Sequence, residues 1–297
     1  MKAPDAVSVP SFRGLTFSSA VKEAQILVDR KFPETGGEDS LFLMSAAAGL
    51  SYSEIRFASG EYMSEEQALL FQKYLQKRLD GQPAQYITGE TDFYGYRIRV
   101  SSGVLIPRPE TELLADAVMS FLKDRRYAHC LDIFTGSGAV GIVCALKAKD
   151  SFWTLSDKSQ EALLKASENV QLHGLCRRVH LYNSDLFNSF SSGRKWDLIA
   201  ANPPYVSNEE MKILQPEVRE HEPRIALDGG LGGMEIISRF LKEVSSRLFD
   251  GGRLYMEAGY GQADAVKKEA AKAGLDVLEV IKDYSGIERH FVMGKSC

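Results

Sequence analysis

At 297 residues, with 44% hydrophobic and 26% charged side chains, the chain has ordinary globular usage, which excludes a disordered tract and leaves room for one large domain plus a smaller one. Its apolar runs, such as 41–44 and 46–48, fall far short of the roughly 20 residues that span a bilayer, so no membrane partner is expected. The formal charge of −4 is spread evenly, with 9 Lys+Arg against 11 Asp+Glu over residues 1–85 and 27 against 29 beyond, so the balance favours a protein or small-molecule substrate over stable nucleic-acid binding.

Residues 1–85 read as a small helical domain. Val21, Ala24, Leu27 and Val28 recur at helical spacing, and 41–48 suggests a second helix. Ser64-Glu65-Glu66-Gln67 has the spacing of a capping box ahead of Ala68, Phe71, Leu75 and Leu79, a run that Asp80-Gly81 ends. This domain shows no recognisable chemistry, so packing and the docking of a partner are equally compatible with it. After Gln82-Pro83 the period changes: Tyr96, Ile98 and Val100 alternate with Arg97, Arg99 and Ser101, which predicts a half-buried strand and a linking β-hairpin within 86–106. From 107 to 297 strand-like segments (129–134, 152–156, 179–183, 196–201 and 253–257) alternate with helical ones, such as 159–173, which stops at Gly174. That βαβ succession predicts an α/β domain with a parallel sheet covered by helices. Cys130, Cys144, Cys176 and Cys297 form no CxxC pair, and His129, His173, His180, His221 and His290 show no ligand spacing. With no basic segment and apolar core at the N-terminus, a cytoplasmic protein with reduced thiols and no metal is expected.

The first strand of the alternating region runs into Asp132-Ile133-Phe134-Thr135-Gly136-Ser137-Gly138-Ala139-Val140-Gly141, with a helix beginning near Gly138. Glycines there let the backbone turn sharply and approach a ligand. Asp157, at the end of the second strand, is placed to accept both hydroxyls of an adenosine ribose, whether of NAD or of S-adenosylmethionine. Asp185, after the third, is a candidate for the adenine end. The fourth strand delivers Asn202-Pro203-Pro204-Tyr205 at its carboxyl end, where open α/β sheets bind ligands. Two consecutive prolines remove two N–H donors, so the Pro203 carbonyl can face outward as an acceptor beside the Asn202 side-chain oxygen. Together these acceptors suit both N–H bonds of a planar amide or amino group, with Tyr205 stacked on its face. Two other readings use parts of this pattern. A DNA adenine-N6 methyltransferase would flip its base against 202–205, and an NAD-dependent oxidoreductase would use 136–141 but leave 202–205 idle.

Several further blocks carry a resemblance: Gly89-Glu90 with Phe93-Tyr94-Gly95; Val104-Leu105-Ile106-Pro107-Arg108-Pro109-Glu110-Thr111-Glu112; His221-Glu222-Pro223-Arg224-Ile225-Ala226-Leu227-Asp228-Gly229-Gly230; and Asp283-Tyr284-Ser285-Gly286-Ile287-Glu288-Arg289. With the glycine loop and Asn202-Pro203-Pro204-Tyr205, the sequence resembles the release-factor glutamine methyltransferases, the PrmC or HemK family. The likeness covers nearly all of the catalytic part and, more weakly, the N-terminal helices. It implies a class I S-adenosyl-L-methionine-dependent methyltransferase domain with a Rossmann-like seven-stranded sheet over 107–297, behind a helical substrate-recognition domain over 1–85. It also implies that peptide-chain release factors are the substrate, methylated on the glutamine of a Gly-Gly-Gln motif. Asn202, Pro203 and Tyr205 are then the expected catalytic residues. Asn202 and Pro203 hold the glutamine amide, and Pro204 completes the substrate loop. The cofactor is expected against Phe134, Thr135, Gly136, Ser137, Gly138, Asp157, Asp185, Leu186 and Asn202. One departure stands out. The family loop usually reads Asp-x-Gly-Thr-Gly-Ser-Gly, and Phe134 occupies the first glycine position, so its side chain must point away from the cofactor.

Overall fold

Helix α1 (Phe17–Asp29) begins where the Thr16 hydroxyl accepts the Ser19 amide, in a computed structural model that describes residues 9–33 and 35–296. Cys297, one of the four thiols, lies outside the described residues. Then come α2 (Gly36–Ala48), α3 (Tyr52–Phe57), α4 (Glu65–Leu79) and α5 (Ala84–Thr88). The predicted capping box forms at α4: Ser64 Oγ accepts from the Gln67 amide at 3.1 Å, and Gln67 Oε1 accepts from the Ser64 amide at 2.9 Å. The apolar faces of these helices bury Phe12, Phe17, Leu43, Met44, Phe71 and Leu75 in one core. Arg78 is buried beside it, offset by Asp39 at 2.7 Å and by the Phe32 ring beneath its guanidinium. This first compact unit ends at Gly89.

The second unit, from Glu90 onward, opens with a hairpin of β1 (Glu90–Phe93) and β2 (Tyr96–Arg99), paired antiparallel. Next are α6 (Thr111–Leu122), β3 (His129–Ile133), α7 (Ala139–Lys147), β4 (Phe152–Asp157), α8 (Gln160–Leu172), β5 (Val179–Asn183) and β6 (Trp196–Ala201). The short helices α9 (Pro216–His221) and α10 (Arg224–Leu227) precede α11 (Glu235–Arg247), β7 (Leu248–Glu257), α12 (Ala263–Lys272), β8 (Leu275–Lys282) and β9 (Glu288–Lys295). The hairpin is tied to the body by Asn169 of α8, whose buried amide bonds both the N–H and the carbonyl of Arg99 and also the Ser137 carbonyl.

The sheet order is β5-β4-β3-β6-β7-β9-β8. β5, β4, β3, β6 and β7 run parallel, as the βαβ succession predicts, but β9 pairs antiparallel with both β7 and β8. The five strands read from the alternation are thus parallel as expected, and β8 and β9 complete the seven-stranded sheet with antiparallel pairing at its edge. The cause is local: Asp283 folds the connection from β8 to β9 into a tight turn, accepting the amides of Ser285 and Ile287, and so short a link joins only antiparallel neighbours. The Asp283 to Arg289 block is that turn, locked by the Arg289–Asp283 ion pair at 2.8 Å. α11 and α12 cover one face of the sheet, burying Ile237, Phe240, Leu241, Val244 and Val266 against β3, β6, β7 and β9. The chain order reverses between β3 and β6, which places the ends of those two strands at the topological switch point where open sheets bind ligands.

Candidate active site

At the end of β3 the chain must turn into α7, and the glycine loop does this around a buried carboxyl. Asp132 Oδ2 accepts the Thr135 hydroxyl at 2.6 Å and the Gly141 amide at 3.0 Å. Burial pushes the Asp132 pKa up to about 7 against the lowering effect of those two bonds. Phe134 has φ +63°, the left-handed region in which a glycine costs nothing and a side chain is strained. Its ring packs edge-on against Phe240, centroids 5.5 Å apart, so the side chain rests on the hydrophobic core while the residue still borders the cavity described below. Gly138 caps α7 at φ +84°, in the left-handed region that favours glycine, and a Cβ there would lie 3.2 Å from Leu155 Cδ1 of β4.

A cavity of about 440 Å³ opens at the switch point, within the range of small-molecule sites. Ile133, Phe134 and Gly136 border it from the β3 side, Asp157 from the end of β4, and Asp185 and Leu186 from beyond β5. Asn202 and Pro204 close it after β6. Of the residues expected at a cofactor, Phe134, Gly136, Asp157, Asp185, Leu186 and Asn202 thus share one cavity. Thr135, Ser137 and Gly138 do not line it, being occupied in holding the loop. Asp157 is held by the Gly136 amide on one oxygen (2.9 Å) and the Ser159 amide on the other (2.8 Å), and burial raises its pKa. Each oxygen keeps lone-pair capacity for a further donor. Asp185 is held by Lys158 at 3.1 Å and Arg239 at 3.6 Å.

Part of the remaining wall comes from residues that motif reading quoted but gave no role: Val104 and Leu105 on one side, Pro223, Arg224, Ile225, Ala226 and Asp228 on the other. A smaller recess beside the cavity is lined by Leu105, Arg108, Asn202, Pro203 and Tyr205, and Asn202 belongs to both spaces. The two blocks clamp the 202–205 loop. Arg108 forms an ion pair with buried Glu222, which partly offsets the rise in the Glu222 pKa caused by burial. The Gly229 amide donates to Val206, and a Cβ on Gly229 would stand 2.8 Å from both the Pro204 carbonyl oxygen and Tyr205 Cα. From the far side the Gln262 amide donates to the Tyr205 carbonyl at 2.8 Å.

Within the loop Asn202 Nδ2 donates to the Thr111 hydroxyl at 3.3 Å, and Oδ1 takes no hydrogen bond among the described residues. The Pro203 carbonyl takes no hydrogen bond among the described residues. The Tyr205 hydroxyl donates to Glu257 Oε1 at 3.1 Å; burial, and then the Glu257 charge, raise its pKa, so it stays a neutral phenol. Two acceptors and an aromatic ring at the rim of a nucleoside-sized cavity can orient an N–H-bearing planar group and bear positive charge growing on its nitrogen.

Residues 19–89 match the family model described as PrmC N-terminal domain, and residues 110–231 match Methyltransferase small domain. A release factor glutamine methyltransferase of Rhodopirellula baltica is 37% identical over 272 residues, covering 90% of this chain and 92% of the relative. Another, of Thermodesulfovibrio yellowstonii, is 37% identical over 236 residues, 79% of this chain and 84% of the relative. Among solved structures, a methyltransferase from Pyrococcus furiosus superposes with a TM-score of 0.50 at 20% identity, over 68% of this chain and 89% of that one. That last likeness is one of fold.

Proposed function

The chain belongs to the release factor glutamine methyltransferases, and on that premise we infer that its cavity takes S-adenosylmethionine while the 202–205 loop receives the target amide. Its reaction is the methylation of a release-factor glutamine. The observation that carries the assignment of parts is that Asn202 stands on the wall shared by the large cavity and the small recess.

Asp157 accepts the ribose hydroxyls of the cofactor, on oxygens already oriented by the Gly136 and Ser159 amides. S-adenosylmethionine supplies an electrophilic methyl group on a sulfonium. An amide nitrogen is a weak nucleophile because its lone pair is delocalised, so the work of the protein is positioning and electrostatic. Asn202 Oδ1 and the Pro203 carbonyl accept the two N–H bonds, Tyr205 packs on the amide plane, and both acceptors favour the positive charge that develops on nitrogen. The substrate glutamine is that of a Gly-Gly-Gln motif in a peptide-chain release factor. A substrate of translation implies a cytoplasmic enzyme, and no helix among the described residues is long and apolar enough to cross a membrane. The helical domain at 1–89 serves to recognise the release factor.

Asn202→Ala tests the assignment. Single-turnover methylation of a release factor should slow about 10²-fold or more, the scale for losing a preorganised partner at the reacting centre. Affinity for S-adenosylmethionine, measured on the same preparation, should change much less. A near-normal rate would remove Asn202 from the reacting centre.

A further inference from the structure

Glu257 is 1% exposed at the end of β7, where a carboxyl group is costly to bury unless its oxygens are satisfied. Both are. The Thr111 hydroxyl donates to Oε2 at 2.8 Å and the Tyr205 hydroxyl to Oε1 at 3.1 Å, while His290, opposite Glu257 in the β7–β9 pairing, brings Nε2 to 3.4 Å from Oε2. The parallel register that pairs Ala201 with Met256 sets Asn202 and Glu257 at the same level on adjacent strands, and Thr111, the first residue of α6, fills the gap between them.

The direction of the hydrogen bonds matters more than their number. A threonine hydroxyl has one proton. Given to the Glu257 carboxylate, it leaves the Thr111 oxygen able only to accept, so Thr111 selects the Nδ2 end of the Asn202 amide and turns Oδ1 toward the shared wall. Were that proton free to point at Asn202, the amide could flip and present N–H groups to a substrate that is itself an N–H donor and gains positive charge. We propose that Glu257, acting through Thr111, is the positioning group that fixes which end of the Asn202 amide faces the substrate, and that through its second oxygen it holds the Tyr205 ring in place. This rests on the reading that Asn202 binds the target amide.

Thr111→Val keeps the shape at 111 and removes the hydroxyl, whereas Thr111→Ser keeps the hydroxyl. With active sites counted by S-adenosylmethionine binding, single-turnover methylation of a release factor should fall roughly tenfold or more in Thr111→Val, the scale of losing a group that orients a catalytic one. Thr111→Ser should recover most of that loss. In an Asn202→Ala background Thr111→Val should cost nothing further, because the group it orients is gone. Glu257→Gln, which can no longer accept from both hydroxyls, should slow turnover with cofactor binding retained, and in a Thr111→Val background it should cost only what its hold on Tyr205 contributes. A Thr111→Val rate within twofold of wild type, or a loss that persists in full on Asn202→Ala, overturns the relay while the slow Asn202→Ala enzyme keeps Asn202 at the reacting centre. An Asn202→Ala enzyme of normal rate removes the underlying reading and the relay with it.

Discussion

Asp157 is a residue whose role depends on neighbours supplied by its own stretch of chain and by the glycine loop. The Ser159 amide two residues on fixes one carboxylate oxygen and the Gly136 amide fixes the other, so the group is oriented before any ligand arrives. Asp157→Ala should weaken S-adenosylmethionine binding by about 1.5–3 kcal/mol, the range for hydrogen bonds to a charged group. Calorimetry that returned wild-type affinity would take Asp157 out of the cofactor site. Phe134 shows the limit of reading single residues. Its departure from a glycine-rich pattern is visible in the sequence, but the positive φ that explains why glycine is usual there, and the contact with Phe240 that accommodates a ring, are properties of the folded loop. Thr111 and Glu257 were legible only as members of a motif and of a strand, because neither residue type by itself signals an interaction between them 146 positions apart.

The local elements were the most legible. The capping box at Ser64 and Gln67 and the stop of α8 at Gly174, which takes φ +67°, follow from bonds and dihedral preferences within a few residues. The two specific blocks around 104–112 and 221–230 were recognisable as patterns, yet their work is to hold the 202–205 loop from outside. Gly229 displays this: its bare Cα lets the chain lie directly on Pro204 and Tyr205. Gly229→Ala should therefore lower stability by about 1–3 kcal/mol, the cost of forcing atoms into a filled space, and should also reduce turnover by displacing the loop. Gly193→Ala is the control, since a Cβ there meets nothing within 4 Å, and its melting temperature and rate should match wild type. Equal melting temperatures for the two variants would show that the loop gives way without cost. The last two strands of the seven-stranded sheet were expected only through the family resemblance, since the strand periods were read no further than 257, and their antiparallel pairing follows from the tight turn at Asp283.

At the scale of the whole chain, residues up to Gly89 and from Glu90 onward each bury a core of their own. The cavity and the 202–205 loop belong entirely to the second unit. Removing residues 1–89 should accordingly leave S-adenosylmethionine affinity nearly intact while raising KM for the release factor. An unchanged KM would reduce the helical unit to a stabilising role. What the sequence by itself determined is the set of parts: helix caps, strand periods, a glycine turn after β3, and two acceptors after β6. All are fixed by dihedral preference and hydrogen bonding over short spans of chain. Only the tertiary structure decided which parts meet. The β3–β6 neighbourhood that brings Phe134 and Asn202 to one cavity is a matter of strand order. The β6–β7 register sets Glu257 beside Asn202, and Thr111 reaches Asn202 across 91 residues. Such pairings depend on how the buried faces of the sheet and helices pack together, which no local pattern in the chain encodes.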